Sequence, residues 1–180
     1  MALVENKPDE AAGYYESALA ADPLNFNALS GLVNLHTAQR QPDKAHARLD
    51  QVLAANPNNA SLHFLKARVY GSQQNLQADE AELRKTLELD PNYIGAYLDL
   101  GALFVSTKQE DRAIAEYQKI VSLRPDNATA YTLIGMLEDT ERTATPRPTT
   151  IAKALQQNQD AAIAANNLAS ALRRAGQRQP

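Results

Sequence analysis

The chain has 180 residues, 44% of them apolar, and it contains neither cysteine nor tryptophan. This length suits one domain or one repeat array, and the missing cysteine excludes disulfides, zinc–thiolate sites and thiol nucleophiles. The net charge of −3, from 18 basic and 21 acidic residues, argues against a dedicated nucleic-acid binder, which would carry a basic excess.

Prolines divide the chain at a fixed period. Pro23, Pro57, Pro91 and Pro125 follow one another at intervals of 34 residues, each in a similar short stretch rich in Asp and Asn. One further interval leads to Gln159, in the same stretch without its proline. Because self-similarity at a fixed period marks repeat architectures, we predict a helical array.

The predicted elements follow this period along the chain. The segment 9–25 is interpreted as the second helix of a truncated repeat. Full repeats of two amphipathic helices follow at 26–59, 60–93 and 94–127, then an irregular repeat at 128–161 and a final or capping helix with a tail at 162–180.

Small and large side chains recur at the predicted helix crossings. In the first helix of each pair the small residues are Val33, Ala67, Gly101, Gly135 and Ala169. In the second helix larger residues recur as Tyr15, Leu49, Leu83, Tyr117 and Ile151. Helix axes approach to about 8 Å only where side chains are small, so these positions are predicted contacts within the core.

This pattern closely resembles the tetratricopeptide repeat over nearly the whole chain, with a half-unit at each end. The resemblance implies an all-α fold, a right-handed α-α superhelix (solenoid) of stacked antiparallel helix pairs. It also implies a concave groove lined mainly by the first helices. We interpret a chain that starts and stops within a repeat as a partial array, with polar ends that cap it or with mutual capping in a homodimer.

Two departures from the pattern carry structural expectations. Lys66 stands where the other repeats have leucine or isoleucine, so we expect looser packing there, with the ammonium reaching water. Two prolines within 143–149 predict an extended, mobile loop before the next helix. The segment 149–175 has no proline or glycine. It is either one continuous helix or, the favoured reading, two helices with a turn at 158–160.

No pattern in the sequence indicates catalysis or a cofactor. His36, His46 and His63 lie at unrelated positions of the repeat, and no metal-ligand spacing, nucleophile elbow or glycine-rich phosphate loop occurs. We therefore predict structural histidines, no catalytic residues, no cofactor and no metal, and hence that the chain is not an enzyme.

The resemblance places several polar and apolar side chains in the groove. The predicted partner-binding residues are Asn27, Ser30, Asn34, Phe64, Arg68, Leu98, Val105, Thr132 and Met136. The alternative for Phe64 and Leu98 is packing against neighbouring helices. Asn34 matches one asparagine of the carboxylate clamp in chaperone-binding relatives. The other clamp positions do not match, so chaperone-tail binding is not expected.

The predicted function is a non-catalytic protein–protein interaction scaffold that binds a peptide or helical segment of a partner in its groove. The alternatives are a substrate-recruiting arm of a larger enzyme or secretion assembly, and a self-association module. Self-association would give a homodimer, through the incomplete ends or the 143–160 segment. Residues 142–180 carry +5, which leaves −8 on the rest. We expect no nucleic-acid partner and no membrane insertion. The compartment is undetermined, with the cytoplasm slightly favoured in the absence of a signal peptide.

Overall fold

The computed structural model describes residues 8–141, with the backbone only at 139–141, and this part of the chain contains eight α-helices and no strand. Two compact units divide between Tyr93 and Ile94. Unit 1 contains α1 (Pro8–Ala21), α2 (Phe26–Ala38), α3 (Pro42–Ala55), α4 (Ala60–Ser72) and α5 (Leu76–Leu89). Unit 2 contains α6 (Ile94–Ser106), α7 (Glu110–Leu123) and α8 (Ala128–Glu141).

Helices pack as antiparallel pairs joined by turns of a few residues. The first helices of the repeats are α2, α4, α6 and α8, and the second helices are α1, α3, α5 and α7. Within unit 1, each helix packs on the helix that follows it in sequence, and α2 also packs on α4. Within unit 2, α7 packs on both α6 and α8.

Asparagine caps the first helix after most inter-repeat turns. The side-chain oxygen of Asn25 accepts a hydrogen bond from the Ala28 amide at 3.0 Å, and that of Asn127 accepts one from the Ala130 amide at 2.9 Å. The side chain of Asn59 accepts from two amides at the start of α4. Capping satisfies amide donors that have no partner within the helix, so these asparagines have a structural role.

The turns inside each full repeat share a left-handed residue that is not glycine. Arg40, Gln74 and Lys108 have φ values of 57°, 58° and 58°. After each, the next amide bonds to a carbonyl five residues back, as in Gln109 N–H to Phe104 O at 2.8 Å. This is the Schellman arrangement, which usually places glycine at the left-handed position.

The core of unit 1 is built mainly from leucine. Leu29, Leu32, Leu49 and Leu65 are at most 1% exposed and form one cluster with valines and alanines from α2, α3 and α4. In unit 2 the corresponding layer contains aromatic residues: Phe104 is fully buried and Tyr117 is 2% exposed. Both cores obtain their stability from apolar area removed from water.

Side-chain volumes compensate at the crossing of paired helices. Three buried pairs stand at equivalent repeat positions: Val33 with Leu49, Ala67 with Leu83, and Gly101 with Tyr117. The pair with the smallest first-helix residue, Gly101, has the largest second-helix residue, Tyr117. At Gly101 a Cβ atom would overlap the Tyr117 ring. Close packing of protein interiors accounts for the combination at Gly101 and Tyr117, because the missing side chain leaves the space that the ring occupies.

Lys66 links three helices of unit 1 through ion pairs. Its Nζ lies 2.8 Å from Asp50 Oδ1 on α3 and 3.8 Å from Glu82 Oε1 on α5. Burial lowers the pKa of Lys66, but the two carboxylates outweigh this effect and hold it above its usual value. The side chain is 19% exposed, so the ammonium reaches carboxylates of the flanking helices instead of water alone.

Several expectations fall on residues 1–7 and 142–180, outside the described part of the chain. They are the loop at 143–149, the helix or helices of 149–175, the final helix of 162–180 and the homodimer contacts of 143–160. Of the irregular repeat 128–161, the structure describes α8.

Candidate functional site

The first-helix face of unit 1 is polar on α2. Asn27, Ser30 and Asn34 follow one another at steps of three and four residues, so they share one side of the helix. Asn27 and Asn34 are exposed and Ser30 is half-buried. Their amides and hydroxyl form a row of hydrogen-bonding groups at these three predicted positions.

On α4 the predicted site residues differ in accessibility. Arg68 is exposed and forms no ion pair with any residue between 8 and 141. Phe64 is half-buried, with its ring 4.9 Å from that of Tyr93, centroid to centroid. The contact of Phe64 with Tyr93 agrees in part with the alternative that Phe64 packs against neighbouring residues and does not face a ligand. Arg68 presents a guanidinium that can form paired hydrogen bonds to a carboxylate.

The first-helix face of unit 2 contains an apolar cavity of about 340 Å³ between α6 and α8. Tyr117 of α7 also contributes to its lining. The lining residues are Ala102, Val105, Tyr117, Leu133, Met136 and Leu137. Val105 is 40% and Met136 55% exposed, so the cavity presents apolar side chains at the surface, as small-ligand and peptide sites commonly do.

The position of the Tyr117 ring shapes this cavity. The ring lies against the backbone of α6 at Gly101, where no side chain intervenes. Burial, and secondarily the Asp99 carboxylate, raise the pKa of the Tyr117 hydroxyl above its usual value. The phenol is thus a neutral group in the otherwise apolar lining of the cavity.

In unit 1, the tyrosine at the same repeat position packs against a different helix. Tyr15 and Tyr117 are equivalent in the repeat, and so are Gly31 and Leu133. The Tyr15 ring lies against Gly31 of the following helix. In unit 2, Leu133 occupies that place, and Tyr117 lies against the preceding helix at Gly101.

The structure brings only part of the predicted set together at the cavity. Val105 and Met136 line it, whereas Leu98 and Thr132 are half-buried on the same helices and are not part of its lining. Sequence reasoning omitted Tyr117, Leu133 and Leu137 from the site. The combination of glycine at 101 with tyrosine at 117, where the two full repeats of unit 1 have Val33 with Leu49 and Ala67 with Leu83, is the signal that could have indicated an altered packing.

The first helices of the two units carry opposite charge. The α2 and α4 sequences contain Lys66 and Arg68 and no carboxylate. The α6 and α8 sequences contain no lysine or arginine; their charged residues are Asp99, Glu138, Asp139 and Glu141. The first helices of the two units therefore differ in the charge of their sequences.

All three histidines lie in unit 1 and contact other protein groups. His63 Nδ1 lies 2.6 Å from Glu82 Oε2, and its Nε2 lies 2.9 Å from the Pro57 carbonyl oxygen. His46 Nε2 lies 3.0 Å from Gln73 Oε1, with its ring beside that of Tyr70. Burial, together with Lys44, lowers the pKa of His36 below its usual value. These contacts fit structural roles.

Within the described residues, no group of three or more His, Asp or Glu side chains is arranged to hold a metal ion. The helices of this region are too short to cross a lipid bilayer, with at most 14 residues each.

Comparison with known proteins identifies the class of this fold. The chain resembles the solved structure of TTC0263, a thermophilic TPR protein of Thermus thermophilus. The identity is 19% and the TM-score 0.65, and the match covers 94% of this chain and 93% of that one. MamA gives 20% identity and a TM-score of 0.62 over 98% and 95% of the two chains. YrrB, described as a TPR protein with an unusual peptide-binding site, gives 19% and 0.59 over 92% and 85%. The predicted all-α helical-repeat fold class is confirmed.

Comparison of the sequence with family profiles identifies the family to which the chain belongs. Tetratricopeptide repeat profiles match residues 2–69, 60–93 and 94–127. The chain belongs to the tetratricopeptide repeat family, as the sequence pattern predicted, and repeats of this family generally mediate protein–protein interaction. No curated protein matches the sequence.

Proposed function

We propose that this chain is a non-catalytic interaction module that binds a peptide or helical segment of a partner protein on the faces of its first helices. The predicted residues Asn27, Ser30, Asn34 and Arg68 would serve on unit 1. Val105 and Met136 would serve on unit 2, with Leu98 and Thr132 at its margin. Phe64 would support the unit 1 face through its contact with Tyr93.

The cavity between α6 and α8 is the observation that carries this proposal. Its walls are apolar, it has room for one or two side chains, and two of its residues are well exposed. Water in such a space forms few hydrogen bonds, so an apolar side chain of a partner would gain free energy by replacing it. A helix or extended segment that inserts regularly spaced apolar side chains is a common ligand for a surface of this kind.

Unit 1 supports a complementary polar contact. Arg68 lacks an ion-pair partner in the described part of the chain, and the α2 side-chain amides offer donors and acceptors on a helix that packs on α4. A carboxylate or backbone carbonyl group of a bound segment would satisfy them. The similarity in fold to YrrB is compatible with peptide binding here as well.

Site-specific crosslinking tests the proposal. A photoreactive phenylalanine analogue placed at Met136 should crosslink a defined partner in the source lysate. The same group at Leu123, an exposed apolar position on α7, serves as the matched control. Adding the exposed change Ala102→Phe should abolish the Met136 crosslink by filling the cavity, with the helical circular dichroism spectrum unchanged.

The unit 1 face is tested by Arg68→Gln, because this change retains most of the side-chain length while removing its charge. Capture of the crosslinked partner should fall several-fold. Equal capture by the wild type, Ala102→Phe and Arg68→Gln, or equal crosslinking from 123 and 136, would contradict the proposed faces.

A further inference from the structure

Arg68 is an exposed cation on α4 without a partner in the described part of the chain. It forms no ion pair or hydrogen bond with any residue between 8 and 141, and neither α2 nor α4 contains a carboxylate. Asp50 and Glu82 contact Lys66 instead. Because side chains two residues apart on a helix point in different directions, these carboxylates lie away from Arg68. The guanidinium is therefore open to an external anion.

Three polar side chains of α2 are unpaired as well. The side chains of Asn27, Ser30 and Asn34 form no hydrogen bond within residues 8–141. Asn34 and Arg68 hold the same repeat position, because 34 residues separate them, and α2 packs on α4. Equivalent positions of successive repeats lie side by side in a stacked array, so the amides and the guanidinium share one face.

The α2 amides suit an extended ligand better than a helical one. A side-chain amide both donates and accepts, so it can pair with a backbone N–H and a backbone C=O. A helix bonds these backbone groups internally, whereas an extended segment has them free. Asn27 and Asn34 are seven residues apart, about 10.5 Å along the helix axis. Three residues of extended chain span about 10 Å, so both amides can contact one extended segment.

We propose that the α2 and α4 face of unit 1 binds an extended acidic segment of a partner protein, with the side-chain carboxylate of an aspartate or glutamate on Arg68. This inference rests on the proposed function and specifies the conformation and the charge of the segment that unit 1 binds. Asn27 and Asn34 would pair with its backbone. A guanidinium fixes a carboxylate through two parallel hydrogen bonds, whereas a basic residue at that point would meet a like charge.

Peptide selection with a charge-reversal variant tests the acidic preference. Random peptides displayed on phage, each fused through its C-terminus, are selected on the immobilised full chain. Enriched sequences should contain aspartate or glutamate at one fixed position. Selection on Arg68→Glu should change the preference at that position to lysine or arginine. The control Lys44→Glu makes the same change in net charge at an exposed position of α3, and it should retain the acidic preference.

Synthetic forms of an enriched peptide test the contacts and the conformation. With an amidated C-terminus, replacing its acidic residue by the corresponding amide should weaken binding about tenfold in fluorescence anisotropy, because a hydrogen-bonded charge is lost. Asn34→Ala should weaken binding about fivefold. A form of the peptide stapled into a helix should bind more weakly than the unstapled form, because its backbone groups are no longer free.

The outcomes distinguish this inference from the proposed function. Enriched sequences without an acidic residue, or an acidic preference that survives Arg68→Glu, would overturn the inference. A crosslink from Met136 would then leave the proposed function standing. No enrichment of any sequence, together with no crosslink from Met136, would overturn both.

Two further results would overturn parts of the inference. A peptide without acidic side chains that competes through a free C-terminal carboxylate would assign Arg68 to a chain end and exclude the side-chain contact. Tighter binding of the stapled helix would overturn the extended conformation.

Discussion

Unit 1 and unit 2 fill the same repeat positions with different chemistry. The first helices of unit 1 present amides, a hydroxyl and the cation Arg68, over a core of leucine. Those of unit 2 present an apolar cavity, over a core that includes Phe104 and Tyr117. The comparison indicates that the backbone architecture depends on a few crossing positions, since the exposed positions of the first helices vary without altering the helix pairs.

We expect the largest effect on stability from a substitution in the aromatic core of unit 2. Phe104 is fully buried, with the Arg112 guanidinium 3.9 Å from its ring centroid. Phe104→Ala should lower the free energy of unfolding by about 3–5 kcal/mol, because it removes apolar contact and leaves a cavity. Urea denaturation followed by circular dichroism measures the loss. The neighbouring exposed change Val105→Ala is the control, and an equal loss in both variants would contradict the assigned core.

The glycine–tyrosine contacts should respond differently in the two units. Gly101→Ala places a methyl group against the buried Tyr117 ring and should cost about 1–3 kcal/mol. Gly31→Ala should cost less, because Tyr15 is only half-buried and its ring can move toward solvent. Thermal and urea unfolding of both variants measure the difference.

Gly13→Ala is the matched control for these two substitutions. A Cβ at Gly13 meets no atom within 4 Å, so this change should raise stability by about 1 kcal/mol through helix propensity alone. Equal effects of alanine at all three glycines would mean that the tyrosine contacts are unimportant.

Lys66 is the clearest departure of unit 1 from the repeat pattern, since Leu100 occupies the equivalent position in unit 2. Lys66→Leu exchanges ion pairs to Asp50 and Glu82 for apolar packing. Asp50 is well exposed and Glu82 keeps its contact with His63, so neither carboxylate is left buried without a partner. We therefore expect the free energy of unfolding to change by less than about 1 kcal/mol. The dependence of stability on salt should weaken in the variant. A large loss would show that the ion pairs are required by the fold.

A pH effect should arise at His36 in unit 1, at the position that Phe104 occupies in unit 2. Burial and Lys44 lower the pKa of His36 from its usual 6.5. As the pH falls below 6.5, the unfolded chain binds the proton before the folded chain does, so stability declines. His36→Phe should remove this part of the decline, measured as the difference between the two unfolding curves at several pH values. An unchanged pH dependence would contradict the lowered pKa.

The sequence allowed the fold to be predicted because its decisive signals are local. The proline period gave the repeats, and the structure places asparagine caps such as Asn25 and Asn127 immediately after the corresponding turns. The left-handed residues Arg40, Gln74 and Lys108 were not foreseen, because none is a glycine, the residue that usually occupies such a position.

The candidate site was less predictable because it depends on side-chain direction between helices. Val105 and Met136 could be placed on the face of α6 and α8 from helical spacing alone. Whether a tyrosine ring fills the space between those helices or leaves it open depends on its neighbours, as the contrast of Tyr15 with Tyr117 shows. Periodicity does not determine such rotamers.

The pairing of Gly101 with Tyr117 has a consequence for how such a module could acquire a new ligand. Ala67 with Leu83 fills the same crossing in unit 1, so the two residue pairs are alternative solutions of similar total bulk. Replacing Gly101 by alanine and Tyr117 by leucine together would therefore preserve the helix pair while changing the part of the cavity lining that Tyr117 contributes. Recognition at this surface can diverge through two compensating substitutions inside the core, with every exposed residue left as it is.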